Sequence, residues 1–105
     1  MTKQFNFTSA QVQNFIYLCE GEDAPVLLQD FYERNLDAVY KKTKNWVLDL
    51  NYTAIQFLLK ELKDYVVFLE QEIVNYKTKK DLNCDYPMYN RIRITLAKRV
   101  IEKLS

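Results

Sequence analysis

Residues 53–77, TAIQFLLKELKDYVVFLEQEIVNYK, carry the strongest periodic pattern of the chain. Apolar side chains recur there at intervals of three and four residues, which is the spacing of one buried helical face. That face comprises Ile55, Leu58, Leu59, Leu62, Tyr65, Val66, Leu69, Ile73 and Tyr76. Thr53 and Gln56 have the spacing of a capping box, so we expect a helix from Thr53 to about residue 77. At ~1.5 Å per residue it would be roughly 37 Å long.

The N-terminal part of the chain shows an equally clear helix start. Thr8 and Gln11 have capping-box spacing, and Phe7 and Val12 are placed to form a hydrophobic staple across the first turn. Gly21 is a typical stop signal. We therefore expect a first helix between Thr8 and Gly21.

Two further helices are expected where an aspartate precedes a proline. Asp23 and Pro25 indicate the start of a second helix that runs to about residue 44, and Asp85 and Pro87 indicate the start of the last. Residues 45–51, NWVLDLN, either extend the second helix or form an apolar connection over the core. The inward faces predicted for these two helices are Leu28, Phe31, Tyr32, Leu36 and Val39, and Tyr89, Ile92, Leu96, Ala97, Val100, Ile101 and Leu104.

The fold class predicted from these patterns is all-α. We find no alternating strand pattern anywhere, and 105 residues suit one domain, residues 1–105. Short links between helices favour antiparallel neighbours. The prediction is a small antiparallel helical bundle of about four helices, three long and a shorter one at the N-terminus.

Composition argues against most enzyme classes. The chain has no histidine and one glycine, which leaves no mixed Cys/His zinc site and no glycine-rich phosphate loop. The acidic group Glu20, Glu22 and Asp23 falls in a turn and lacks the ligand spacing of a calcium loop. We expect no catalytic residue, metal or cofactor, and we interpret the protein as a non-enzyme.

The cysteines and the apolar runs bear on location. Cys19 and Cys84 form no CxxC pair, Cys19 falls on a predicted core face, and reduced cysteines suggest the cytosol. The uncharged run before Cys19 is too polar for a signal peptide, and no run is long enough for a membrane span. We expect a cytoplasmic protein without a membrane partner. Abundant Lys, Asn, Ile, Tyr and Phe suggest AT-rich coding DNA, as in low-GC microbes or mobile elements.

Four apolar residues of the third helix lie off its main face: Phe57, Val67, Phe68 and Val74. They are ordinary core if this helix is central and contacted from two sides. They are alternatively a docking surface for another protein or for a second copy, because exposed aromatic residues at helical spacing anchor such interfaces.

Charge is distributed unevenly. Residues 1–74 carry seven basic and eleven acidic side chains, a net of −4, whereas residues 75–105 carry eight basic and three acidic, a net of +5. The possible ridge for nucleic acid or another anionic partner is Lys77, Lys79, Lys80, Arg91, Lys98, Arg99 and Lys103. A solvated helix face explains the same residues equally simply, because cations near a helix C-terminus are favourable in themselves. Arg93 is the exception, since it falls inside the apolar arc and either pairs with an acid or extends to solvent at the bundle edge.

The function predicted from these residues is a protein-interaction module. It would be a small regulator or inhibitor that occludes or scaffolds a partner protein, or a second copy of itself, through a helix face. A nucleic-acid-binding regulator that uses the basic last helix is the alternative. Asymmetric charge is compatible with either, and also with head-to-tail association of two copies.

Overall fold

The computed structural model describes residues 1–37, 45–79 and 86–105, together with their side chains apart from those of residues 76–79 and 86–87. Within these residues the order is a strand, two short α-helices separated by a 3₁₀ helix, a second strand and two long α-helices. The elements are β1 (Thr2–Thr8), α1 (Ser9–Phe15), a 3₁₀ helix (Ile16–Cys19), α2 (Val26–Asn35), β2 (Asn45–Asn51), α3 (Tyr52–Lys79) and α4 (Tyr86–Leu104).

The two strands overturn the all-α prediction. β1 and β2 pair antiparallel in a two-stranded sheet, from Thr2 opposite Asn51 to Thr8 opposite Asn45. The fold is therefore mixed, with helices and a small sheet. Residues 45–51 neither continue the second helix nor form a loop over the core, because Leu48 and Leu50 alternate inward as a strand requires.

The start of α1 is confirmed in atomic detail. The Gln11 backbone N–H donates to Thr8 Oγ1 at 3.2 Å, and the Thr8 N–H donates to Gln11 Oε1 at 3.0 Å, which completes the capping box. Phe7 and Val12 are both buried beside it. Gly21 follows the 3₁₀ helix with a φ of +127°, a conformation that strains any side chain, so glycine is required there.

Helix α2 differs from its prediction at both ends. It begins at Val26 after Pro25, with no side-chain cap from Asp23, and it ends at Asn35. The expected continuation to residue 44 passes into residues 38–44, which lie outside the described residues.

Helices α3 and α4 form an antiparallel hairpin. Helix α3 begins at Tyr52 rather than Thr53. Its cap is Asn51, two residues before the predicted cap Thr53, because Asn51 Oδ1 accepts a hydrogen bond from the Ala54 N–H at 2.8 Å. The predicted bundle with three long helices is therefore wrong as well: only α3 and α4 are long among the described helices. The molecule measures 49 × 27 × 25 Å, consistent with the length of this hairpin.

The core joins the sheet, α1 and α2 to the base of the hairpin. Its buried members on α3 end at Val66, and its members on α4, including partly buried ones, begin at Ile94. We call residues 67–79 and 86–92 the arm, and the remainder of the described chain the head. The fully buried large side chains of the head include Phe7, Phe15, Ile16, Leu28, Leu50, Leu58 and Leu62.

Candidate docking surface on the helical hairpin

The four off-face residues of α3 divide into two groups. Phe57, near the base, is partly buried against the core. Val67, Phe68 and Val74, in the arm, are 67%, 57% and 52% exposed. The core interpretation therefore describes Phe57, whereas the other three side chains are available on the surface of the single chain.

Helix α4 adds exposed apolar residues that the periodic pattern placed inward. Tyr89 and Ile92 are 60% and 52% exposed, and Met88 is 64% exposed. The prediction of an inward Tyr89 and Ile92 is wrong: Ile92 lies on the outer side of α4, and Tyr89 lies beyond the part of α4 that packs into the core. At ~100° per residue, Met88, Ile92 and Thr95 lie on the side of α4 opposite buried Ala97.

The interior of the arm is partly polar. Leu69 is 1% exposed, and Asn90 is completely buried between the two helices. Asn90 Nδ2 donates to Glu72 Oε2 at 3.2 Å, while Asn90 Oδ1 has no hydrogen-bond partner among the described side chains. A buried amide oxygen without a partner costs about 1–3 kcal/mol, so this pair contributes less stability than an apolar pair would.

The basic ridge is only partly present as predicted. Arg91, Lys98 and Arg99 are exposed on α4. Lys103 instead donates through Nζ to the Asn6 carbonyl at 2.8 Å and to Gln11 Oε1 at 3.0 Å, and lies 5.4 Å from the centre of the Phe7 ring. This lysine ties α4 to the β1–α1 junction, which diminishes its role as a free cation. The side chains of Lys77, Lys79 and Lys80 lie outside the described residues.

Arg93 is exposed and lies in a groove of about 500 Å³ between α1, the 3₁₀ helix and the hairpin. Asn14 Nδ2 donates to the Arg93 carbonyl at 3.1 Å, so α1 is fixed to α4 beside it. Tyr17 and Tyr65 line the same groove. The position explains the arginine within an apolar arc: α1 covers that side of α4 and leaves an open edge for the side chain.

Several groups that could carry chemistry, among them Cys19, Glu20 and Tyr32, line one groove of about 230 Å³. Burial raises the pKa of the Cys19 thiol to about 12, and its Sγ lies 3.9 Å from the Phe15 carbonyl, so Cys19 is a protonated core residue as predicted. Burial and the neighbouring Glu20 carboxylate raise the pKa of Tyr32. Glu20, Glu22 and Asp23 are exposed in their turn, and no group of three potential ligands that could hold a metal ion occurs among the described residues.

Comparisons with protein-family models, curated proteins and solved structures find no match. In the part of the chain that the structure describes, no helix has the length and apolarity to cross a membrane. The cytosolic location stays a prediction.

Proposed function

We propose that the protein is a non-catalytic protein-binding module that docks the arm onto a partner protein and acts by occluding or scaffolding it. The observation that carries this proposal is the exposure of Val67, Phe68 and Val74 on one helix whose opposite face, at Leu62 and Leu69, is buried. Helix α3 is thus apolar on its inner and outer sides, a pattern typical of helices that contact a second body.

Burial of these side chains by a partner would supply substantial binding energy. A fully buried valine or phenylalanine side chain gains about 1.5–3 kcal/mol over its exposed state, so three such residues approach the scale of a small hot-spot cluster. Phe68 is the natural anchor, because aromatic side chains dominate the energetics of interface centres.

The test replaces Phe68 with the photoreactive analogue benzoylphenylalanine and irradiates the protein in a lysate of its own source. We expect one stoichiometric protein adduct that forms at position 68 and survives nuclease and high salt. The matched control places the same analogue at Tyr52, which is 75% exposed on the same helix but at its head end.

A second variant separates docking from folding. Phe68→Lys should keep the thermal stability of the parent and lose capture of the adduct protein in a pull-down, whereas Tyr52→Lys should keep both. Equal capture at positions 52 and 68, or a large loss of stability in Phe68→Lys, would reject the arm as the docking surface. Nuclease-sensitive, salt-labile recovery of nucleic acid would favour Arg91, Lys98 and Arg99 as the working surface.

A further inference from the structure

Helix α4 carries a groove that the α3 docking surface does not use. It has a volume of about 350 Å³ and is lined by Met88, Arg91, Ile92, Thr95, Leu96 and Arg99. The Thr95 hydroxyl donates to the Arg91 carbonyl at 3.0 Å, so its hydrogen-bonding need is met within the helix. The groove therefore has an apolar floor between two exposed arginines, which lie eight residues or about 12 Å apart along the helix.

Helix α2 presents the complementary surface. Val26, Asp30 and Glu33 are exposed on the side opposite completely buried Leu28, and Val26 is 72% exposed. Spacings of four and three residues place all three on one outward stripe about two turns long. The stripe thus offers one apolar side chain and two carboxylates, opposite in charge to the two arginines on α4.

The wider charge distribution agrees with this pairing. Described residues 20–37 carry six carboxylates and one arginine, a net of −5, whereas residues 86–105 carry five cations and one carboxylate, a net of +4. Within one copy, Leu27 and Phe31 of α2 line a groove against β2. Glu33 is exposed at the edge of a second groove, against the turn at Glu20 and Glu22, and Val26 and Asp30 line neither groove. With a total charge of only +1, two copies can meet without strong overall repulsion.

We propose that the α4 groove receives the outward face of α2 from a second copy of the chain, so that the protein self-associates. Val26 covers the apolar floor near Ile92, and Asp30 and Glu33 pair with Arg91 and Arg99. The contact leaves Val67, Phe68 and Val74 exposed, since they lie on α3. Self-association through α2 and α4 is therefore independent of the docking function proposed above.

The test is the molar mass of the purified protein by light scattering during size-exclusion chromatography. We expect a mass well above the 12.6 kDa of one chain at low salt and a decline toward it at high salt, because salt screens exposed ion pairs. The double variants Arg91→Glu/Arg99→Glu and Asp30→Lys/Glu33→Lys should each be folded by circular dichroism and monomeric by light scattering. An equimolar mixture of the two should associate again, since each supplies the charge that the other now needs.

The control is Lys60→Glu/Lys63→Glu, which makes the same change in net charge on exposed positions of α3 and should associate like the parent. A parent that is monomeric at every concentration and salt, charge variants that still associate, or a mixture that stays monomeric would each overturn the proposal. Association that nuclease abolishes would assign the arginines to nucleic acid instead.

Discussion

The head and the arm share the same two long helices but differ in how many of their apolar side chains are buried. In the head, Leu58, Leu62 and Val100 are buried among apolar neighbours from the sheet and the short helices. In the arm, an amide, Asn90, is buried, while Phe68 and Met88 are exposed. Amphipathic periodicity alone does not make a core, because what covers the helix decides which apolar residues stabilise the fold and which remain for binding.

The largest expected effect comes from matched truncations in the two regions. Leu62→Ala should lower the free energy of unfolding by about 2–5 kcal/mol, because it removes a completely buried side chain and leaves a cavity. Phe68→Ala should change it by less than about 1 kcal/mol, since the ring is mostly exposed and a surface substitution leaves no cavity. Urea denaturation measures both. Similar losses at the two positions would show that Phe68 is buried in the free protein, within the chain or between copies.

The next prediction concerns how the free energy of unfolding depends on pH through Cys19, which is buried in the head. Burial raises the pKa of the Cys19 thiol from its ordinary value of 9.0 to about 12 in the folded protein, because it disfavours the thiolate. Below pH 9 the contribution of the neutral buried thiol is complete, and it is lost as the pH rises toward 12, because the unfolded chain releases its proton first. In a Cys84→Ser background, the free energy of unfolding should therefore fall more steeply above pH 9 than in the same background with Cys19→Ala.

The additional slope should not exceed about 1.4 kcal/mol per pH unit, the limit for one proton. The comparison isolates Cys19, because the two proteins are identical at every other position. Parallel curves for the two proteins would show that the Cys19 thiol is accessible to water.

A sequence reading succeeds where the signal is local. The capping box of Thr8 and Gln11 and the buried Cys19 depend on neighbours within a few residues, so spacing suffices. The strands were missed because Phe5 and Phe7 form only a short alternation, and their partners Leu48 and Trp46 lie about forty residues away. Local alternation of this length does not identify a distant partner.

The candidate docking surface shows the same difference between what local spacing predicts and what tertiary contacts decide. Periodicity singled out Phe57, Val67, Phe68 and Val74 as off-face residues, but only tertiary contacts separate Phe57, against the core, from the other three. On α4, Tyr89 lies beyond the point where the head ends, and Ile92 lies on the side opposite buried Ala97. The apolar periodicity of a helix does not show where the elements that pack against it end.

A smaller effect tests the junction where the hairpin leaves the sheet. Asn51→Ala should cost about 1 kcal/mol, because it removes the acceptor for the Ala54 N–H at the start of α3. Thr53→Ala is the control: if Asn51 is the cap, its effect on the denaturation midpoint should be clearly smaller. The reverse order of the two effects would identify Thr53, not Asn51, as the cap of α3.

The smallest predicted effect is a gain in stability, from a substitution in the arm. Asn90→Leu replaces a buried amide with an apolar side chain of similar size, and the half-buried Glu72 carboxylate that loses its donor can turn to water. Since an amide oxygen without a partner is removed, stability should be unchanged or rise by up to about 1 kcal/mol in urea denaturation. The matched change in the head, Gln11→Leu, should be destabilising, because Gln11 Oε1 accepts hydrogen bonds from both the Thr8 N–H and Lys103. A loss of more than about 1 kcal/mol in Asn90→Leu would mean that the amide oxygen has a partner outside the described residues, and that the arm is held by polar contacts as specific as those of the head.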